Sequence, residues 1–199
     1  MSLFKNIRIE LLVLLIISLN IFISFKLDLG LYNYFKDFNK SLNSVYLKEF
    51  FVDITRLGSS SWYFAISVIG FGVVYLNKRL EFIKIEKQKN ISNFFVSSFF
   101  YILVVGIVTQ VLKHIVGRPR PNHTNFEDYF GFNFFTFDSN FHSFPSGHSS
   151  TIFIICFILV ATFPKLKYFF YFLASVIALS RVVVGAHFFT DIVAGAILA

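Results

Sequence analysis

The stretch FHSFPSGHSSTIFIICFILVATF, residues 141–163, changes character partway along. Up to His148 it is polar, aromatic and rich in turn formers. From Ser149 it is almost unbroken apolar sequence, enough for about four turns of helix. Ser146, Gly147 and His148 stand at the mouth of that helix and admit two readings. A serine ahead of an apolar helix caps the first turn with its side-chain oxygen. The same turn carries free N–H groups and the positive end of the helix dipole, so it also grips an anion, with Gly147 letting a ligand approach the backbone. The stretch alone does not choose between a cap and a site.

Apolar runs recur outward from it, at roughly 9–25, 58–76, 94–112 and 168–184, with another beginning near 188. A bilayer-crossing helix needs about 17–25 such residues. Composition agrees: 56% of the 199 residues are hydrophobic, 30 are Phe and the mean hydropathy is +0.69. These values belong to an integral membrane protein and exclude a water-soluble globule. The net charge of +7 comes with no long basic run and no RNA-binding signature, so anionic lipid explains it and nucleic acid is not a partner. Cys156, the single cysteine, excludes an intramolecular disulfide and a Cys-based metal site and reads as a small buried hydrophobe. Lys5 and Arg8 ahead of the first run imitate a signal peptide, but no small-residue cleavage site follows, so this run reads as an uncleaved first span.

The expected fold class is therefore all-α: one domain over residues 1–199, an integral membrane bundle of six transmembrane helices. The last run holds 12 residues, about 18 Å of helix against a core near 30 Å, so the sequence is expected to stop partway through that span. The N-terminus and the 77–92 and 164–167 connections share one side of the membrane. That side carries nine of the 18 basic residues but three of the 11 acids, namely Glu10, Glu81 and Glu86. The positive-inside rule places it in the cytoplasm and turns 26–57 and 113–148 outward. Residues 31–60 mix aromatics and charges at rough helical spacing and read as an amphipathic stretch lying in the interface.

Polar residues at membrane depth are expensive and mark function. They gather in three segments: KHIVGRPRP (113–121), PSGH (145–148) and SRVVVGAHFFTD (180–191). The topology puts all three at the outer face. Lys113, Arg120 and Arg181 supply cations there; an arginine fork binds phosphate oxygens in pairs and lysine adds a point charge. With the Ser146–Gly147 helix start they describe a phosphate cradle. His187 and Asp191, four apart, share a face if they lie on a helix, and a carboxylate taking the Nδ1 proton leaves Nε2 to attack. His148 supplies a second imidazole for proton donation. Simpler readings stand beside these: Lys113 and Arg181 as snorkelling anchors, His187 and Asp191 as a structural pair, and His148, His187 and Asp191 as zinc ligands, which three neighbouring cations oppose. Arg118 reads as an auxiliary contact or loop anchor, and Glu127, Asp128 and Asp138 as outer-loop acids. His114 lies inside the first segment but offers no paired partner, and His123 and His142 read as loop residues.

Lys113-x6-Arg120-Pro121, Pro145-Ser146-Gly147-His148 and Ser180-Arg181-x5-His187-x3-Asp191 together resemble the tripartite signature of the type 2 phosphatidic acid phosphatase (PAP2) superfamily. The resemblance is close over 113–191 and looser over the six-helix layout. It implies a metal-independent, cofactor-free phosphatase with a haloperoxidase-like core. His187 would attack phosphorus, Asp191 would orient it and His148 would protonate the leaving group. Lys113, Arg120, Ser146, Gly147 and Arg181 would hold the phosphoryl oxygens.

Within the family, FFTFDSNFHSFPSGHSS and LSRVVVGAHFFTDIVAGA are most similar to bacterial lipid A 1-phosphatases. Undecaprenyl pyrophosphate and phosphatidylglycerophosphate phosphatases share the motifs. The expected partners are a phosphorylated lipid substrate and the bilayer, with no obligate protein partner. The expected location is a bacterial inner membrane, with the site facing the periplasm. A transporter with an anion site would need polar residues through the depth of the bundle. A non-catalytic lipid-binding protein would not need His148, His187 and Asp191 together.

Overall fold

The computed structural model of the protein describes residues 26–38, 45–80, 85–123 and 131–199. Helix α1 covers 26–38, followed by α2 (Val45–Arg56), α3 (Ser60–Leu80), α4 (Ile85–Val116), α5 (Gly147–Thr162), α6 (Lys167–Val183) and α7 (Phe189–Leu198). Short 3-10 turns lie at Pro121–His123, Ser139–Phe141 and Pro164–Leu166. There is no strand among the described residues. The all-α reading therefore holds, and five of the six expected spans correspond to α3 through α7. The first, 9–25, lies outside the described residues. Segments Glu49–Asn77, Lys89–Val116 and Pro164–Val183 are long and apolar enough to cross a membrane, while α5 and α7 are shorter apolar helices. The protein is a multi-pass membrane bundle.

Helix α5 sits in the middle, packed on α4, α6 and α7. One core cluster joins Ile152 and Cys156 of α5 to Ala174 and Ile177 of α6, as the hydrophobic reading of Cys156 requires. A second joins Ala178 and Val182 of α6 to Ile192 of α7. The outward faces of α3, α4 and α6 keep Ile69, Val73, Phe100, Val104, Phe169 and Phe172 exposed. An apolar wall of this kind is unfavourable in water and is the surface that lipid tails cover.

The segment read as lying flat in the interface does more than that. Leu31 and Phe35 of α1 pack against the α6–α7 cluster, and Asp28 is fully buried. Ile54 of α2 reaches the α5–α6 cluster. Aromatic and charged residues at helical spacing are common to an interfacial helix and to one docked on a bundle, so periodicity did not separate the two.

Helix ends explain how the site is formed. Helix α4 stops at Gly117, whose φ of 56° lies in the left-handed region and whose N–H returns to the Lys113 carbonyl at 3.0 Å. A side chain there would also run into the Asn133 carbonyl. The Pro119 and Pro121 that follow cannot continue a helix. Helix α5 starts at the Ser146 cap, whose Oγ accepts from Ser149 N. The end of α4, the start of α5, the end of α6 and the start of α7 thus meet at one end of the bundle. Lys89, Lys165 and Lys167 lie at the opposite ends of α4 and α6.

Helix α7 approaches α5 closely because residue 195 is glycine. A Cβ there would lie 2.5 Å from the Ser146 carbonyl oxygen and 3.0 Å from Ser149 Cβ. Gly195→Ala is expected to destabilise the bundle by about 1–3 kcal/mol through overpacking. Thermal unfolding in detergent measures this, and an unchanged midpoint would show that the two helices part without cost.

Candidate active site

The cationic side chains come from two helix ends, those of α4 and α6. Lys113, on the last turn of α4, is buried and its Nζ donates to the His142 carbonyl at 2.6 Å. Arg120, just past that helix, is half-buried; its Nε donates to the Ser139 carbonyl at 3.0 Å. Arg181, on the last turn of α6, donates from Nη1 to Thr55 Oγ1 at 3.0 Å. Its Nε is buried with no hydrogen-bond partner among the described residues. Such a donor is uncommon in folded proteins and asks for an acceptor. A Cβ on Gly147 would come within 3.9 Å of Lys113 Cε, so the α5 helix start lies against the lysine. Ser146 is both readings' residue in part: it is a true cap, and it sits in this cluster.

His187 and Asp191 do not share a helical face. His187 precedes α7, which begins at Phe189, and Asp191 lies in the first turn, where Oδ2 accepts from Phe188 N at 2.8 Å. The expected direct bond is replaced by an indirect link. His187 Nδ1 is 3.7 Å from Asp191 Oδ2 but 2.7 Å from the Ser143 carbonyl. Ser143 Oγ donates to Asp191 Oδ2 at 2.5 Å. A carbonyl only accepts, so Nδ1 holds the proton and the lone pair is on Nε2. The tautomer is the one the motif requires, but Ser143 sets it and Asp191 positions Ser143.

Arg118 completes the carboxylate's surroundings. Its Nη1 donates to Asp191 Oδ1 at 2.6 Å and to Thr190 Oγ1 at 2.7 Å, and its Nη2 to Asp28 Oδ2 at 2.9 Å. Its guanidinium lies over the Phe188 ring, 4.3 Å from the centroid. Asp28 also accepts from Thr190 N at 2.9 Å and from Thr190 Oγ1. Arg118, read from sequence as an auxiliary contact or a loop anchor, here ties the acid of α7 to an acid of α1. Of the outer-loop acids, Asp138 accepts from Asn140 N, while Glu127 and Asp128 lie outside the described residues.

His187 is 2% exposed. Burial holds its imidazole far below the ordinary histidine value, at about 3; Lys113 and Arg181 push the same way and Asp191 opposes them. Burial likewise lowers Arg120, with Asp191 opposing. His148 is half-buried, within the field of Arg181, Lys113 and Arg120. It makes no hydrogen bond among the described residues and packs against Gly58, where a Cβ would lie 3.0 Å from its own. A neutral imidazole with a lone pair on Nε2, three cations and a helix N-terminus converge here. Chemically, that arrangement suits binding of a tetrahedral anion and attack upon it.

His148, His187 and Asp191 do not make a good metal site, since both Asp191 oxygens are already engaged by Arg118, Ser143 and Phe188. His114 Nδ1 bonds the Gln110 carbonyl and His142 Nε2 the Thr136 carbonyl; the His123 side chain lies outside the described residues. Asp28, Thr55, Gly58 and Ser143 escaped the sequence. Asp28 alone had a signal, an acid within an otherwise apolar KLDLGLY segment.

Comparison with known proteins follows the same lines. The PAP2 superfamily profile matches residues 94–199. The chain is 34% identical over 155 residues to a lipid A 1-phosphatase of Rhizobium etli, covering 75% of this chain and 65% of that protein. It is 34% identical over 148 residues to a lipid A 1-phosphatase of Rhizobium johnstonii, covering 71% and 59%. It is 32% identical over 165 residues to phosphatidylglycerophosphatase B of Bacillus subtilis, covering 75% and 68%. The chain therefore spans less than two thirds of the length of the two rhizobial relatives. Among solved structures, Aquifex aeolicus LpxE matches with a TM-score of 0.58 at 22% identity, over 85% of this chain and 88% of that one. A PAP2-type phosphatidylglycerolphosphate phosphatase from Bacillus subtilis matches with 0.52 at 22%, over 85% and 77%.

The buried environment of His187 makes a direct prediction. Its folded value lies below the unfolded one, so the ring stays neutral as pH falls through the ordinary range near 6.5. NMR of isotope-labelled histidine is expected to show the Nδ1–H tautomer of His187 still neutral at about pH 5. An imidazolium signal growing in near pH 6.5 would contradict the burial described.

Proposed function

This chain belongs to the PAP2 superfamily, and from that premise we propose that it is a membrane-embedded lipid phosphatase acting through a phosphohistidine. The observation that carries the reading is the meeting of Lys113, Arg120, Arg181, the Ser146–Gly147 helix start and the buried His187 at one end of the bundle. The lipid A 1-phosphatases of the two rhizobia make the 1-phosphate of a lipid A-type headgroup the favoured substrate. The B. subtilis relative supports phosphatidylglycerophosphate as the second candidate, and undecaprenyl pyrophosphate remains a third. The positive-inside argument supports an inner-membrane location with the site at the periplasmic face. Acyl chains then stay in lipid while the phosphate enters the polar end.

The proposed reaction runs in two displacements. The phosphoryl oxygens take donors from Lys113, Arg120 and Arg181 and from the backbone N–H groups of Gly147 and His148 at the helix start. Charge-assisted bonds of this kind are roughly twice as strong as neutral ones. The Nε2 lone pair of His187 forms a bond to phosphorus as the bond to the lipid oxygen breaks. The leaving oxygen keeps the electron pair and takes a proton from His148. His148, now neutral, removes a proton from water; the resulting hydroxide displaces His187 and releases inorganic phosphate. The ring returns to its neutral Nδ1–H form with His148 protonated again. The protein's cations act where charge shifts during transfer. No metal enters these steps.

His187→Ala is expected to lower phosphate release from lipid in vesicles by about 10⁴-fold or more while the protein stays folded, as removal of a nucleophile does. Retained turnover would end the phosphohistidine reading. EDTA is expected to leave the rate unchanged; loss restored by zinc would favour a metal hydrolase.

Gly147→Ala separates cradle from cap. The added methyl meets Thr109 and Lys113 only at 3.7 and 3.9 Å, ordinary contact distances, so the fold has room for it. It also projects where a phosphate would approach the backbone. Unfolding temperature should hold while kcat/KM falls by about tenfold; unaltered kcat/KM would reduce Ser146–Gly147 to a cap.

A further inference from the structure

The mechanism above gives Arg118 and Asp28 no part, yet both are almost fully buried, at 3% and 1% exposure. Asp28 also lies on α1, well before the region 94–199 that the family profile matches. We propose that Asp28 is a positioning residue for the phosphatase reaction, acting through Arg118 to keep a net negative charge beside the His187 ring. The inference rests on the proposed function.

Attack by Nε2 turns a neutral imidazole into a phosphoimidazolium that keeps its proton on Nδ1. One positive charge therefore develops on a ring that is 2% exposed. Lys113 and Arg181 are close enough to oppose it. The groups that favour it are the Ser143 carbonyl, 2.7 Å from Nδ1, and the Asp191 carboxylate, 3.7 Å away.

Arg118 alone would spoil this arrangement. Its Nη1 lies 2.6 Å from Asp191 Oδ1, and one guanidinium facing one carboxylate leaves a neutral pair. Asp28 changes the balance by holding Nη2 at 2.9 Å. Two carboxylates around one guanidinium leave the trio with a net charge of −1. Asp191 is thereby anchored by a cation without its field being cancelled at His187.

The connections make the same trio a rigid support. Asp28 accepts from both the N–H and the hydroxyl of Thr190, the residue before Asp191. It therefore fixes the first turn of α7 as well as the guanidinium. Asp191 in turn holds Ser143, whose carbonyl fixes the His187 tautomer. A chain of named contacts thus runs from α1 to the nucleophile: Asp28, Arg118 with Thr190, Asp191, Ser143, His187. Among the described residues, the hydrogen bonds of this chain do not involve Lys113, Arg120 or Arg181, which share only its field. The consequence is selective: disturbing Asp28 slows the chemical step and leaves substrate binding nearly alone.

Steady-state kinetics of the full chain in vesicles test this with three forms: the parent, D28N, and D28N with R118Q. Circular dichroism and thermal unfolding establish which forms are folded. D28N leaves Arg118 and Asp191 as a neutral pair, so kcat is expected to fall about tenfold or more with KM within about twofold. The double variant removes the cation as well and restores a charge of −1 at Asp191, so its kcat should exceed that of D28N by about threefold or more. A purely structural role would lower the folded fraction and would not slow the folded enzyme at constant KM. The proposal is overturned if folded D28N keeps its kcat, if its loss lies in KM, or if the double variant is no faster than D28N. Should D28N fail to fold, the double variant decides: kcat within about tenfold of the parent supports the proposal, and a larger loss overturns it. If the parent itself releases no phosphate from any lipid, the proposed function has failed, a result separate from every outcome for the variants.

Discussion

One buried carboxylate ties this end of the bundle together. Asp191 is fully inaccessible to solvent, and a charge in that position is tolerated only when each oxygen is paired. Its partners are spread over the chain: Arg118 after α4, Ser143 before α5 and Phe188 at the head of its own helix. Its carbonyl also accepts from Ser146 N at 2.9 Å. Three helix ends are therefore in register because one side chain and one peptide must be satisfied together. Removing such a partner leaves an uncompensated charge, which costs about 3–5 kcal/mol.

The same constraint organises the chemistry. Cations crowded at one end of a bundle repel one another, and Lys113 and Arg181 oppose any positive charge on the His187 ring. Different helices supply the two kinds of charge. Lys113, Arg120 and Arg181 come from the ends of α4 and α6, and Arg181 Nε is a buried donor with no partner among the described residues. The acids come from α7 and α1, with Asp191 Oδ2 3.7 Å from His187 Nδ1. The imidazole is buried, its proton held on Nδ1 by the Ser143 carbonyl. The sheath of exposed aromatic and aliphatic side chains around the helices suits a bilayer, with the polar cluster at one end of the bundle.

The sequence carried the helices and the motif residues well, because both leave strong local marks. Long apolar runs locate spans wherever the backbone must satisfy itself in lipid. Polar residues at span ends stand out against so greasy a background, so Lys113, Arg120, Ser146, Gly147, His148, Arg181, His187 and Asp191 were all legible. The geometry between them was not. Spacing of four reads as one helical face, yet α7 begins after His187, and the link to Asp191 passes through Ser143. Ser143 acts partly through its backbone carbonyl, which no residue type advertises. Asp28 and Thr55 act from helices distant in sequence, and their stretch has the periodicity of an interfacial helix and of a docked one alike. Contacts set by tertiary packing leave no such mark on one sequence.

The central claim is that His187 carries phosphate between lipid and water. Purified protein in vesicles, mixed with lipid radiolabelled at its phosphate and quenched within a turnover, tests it most directly. The account predicts a protein-bound label that is acid-labile and alkali-stable, as a phosphoimidazole is, located on the peptide that contains His187. Rapid phosphate release with no bound label at any quench time, or label on another residue, would contradict it.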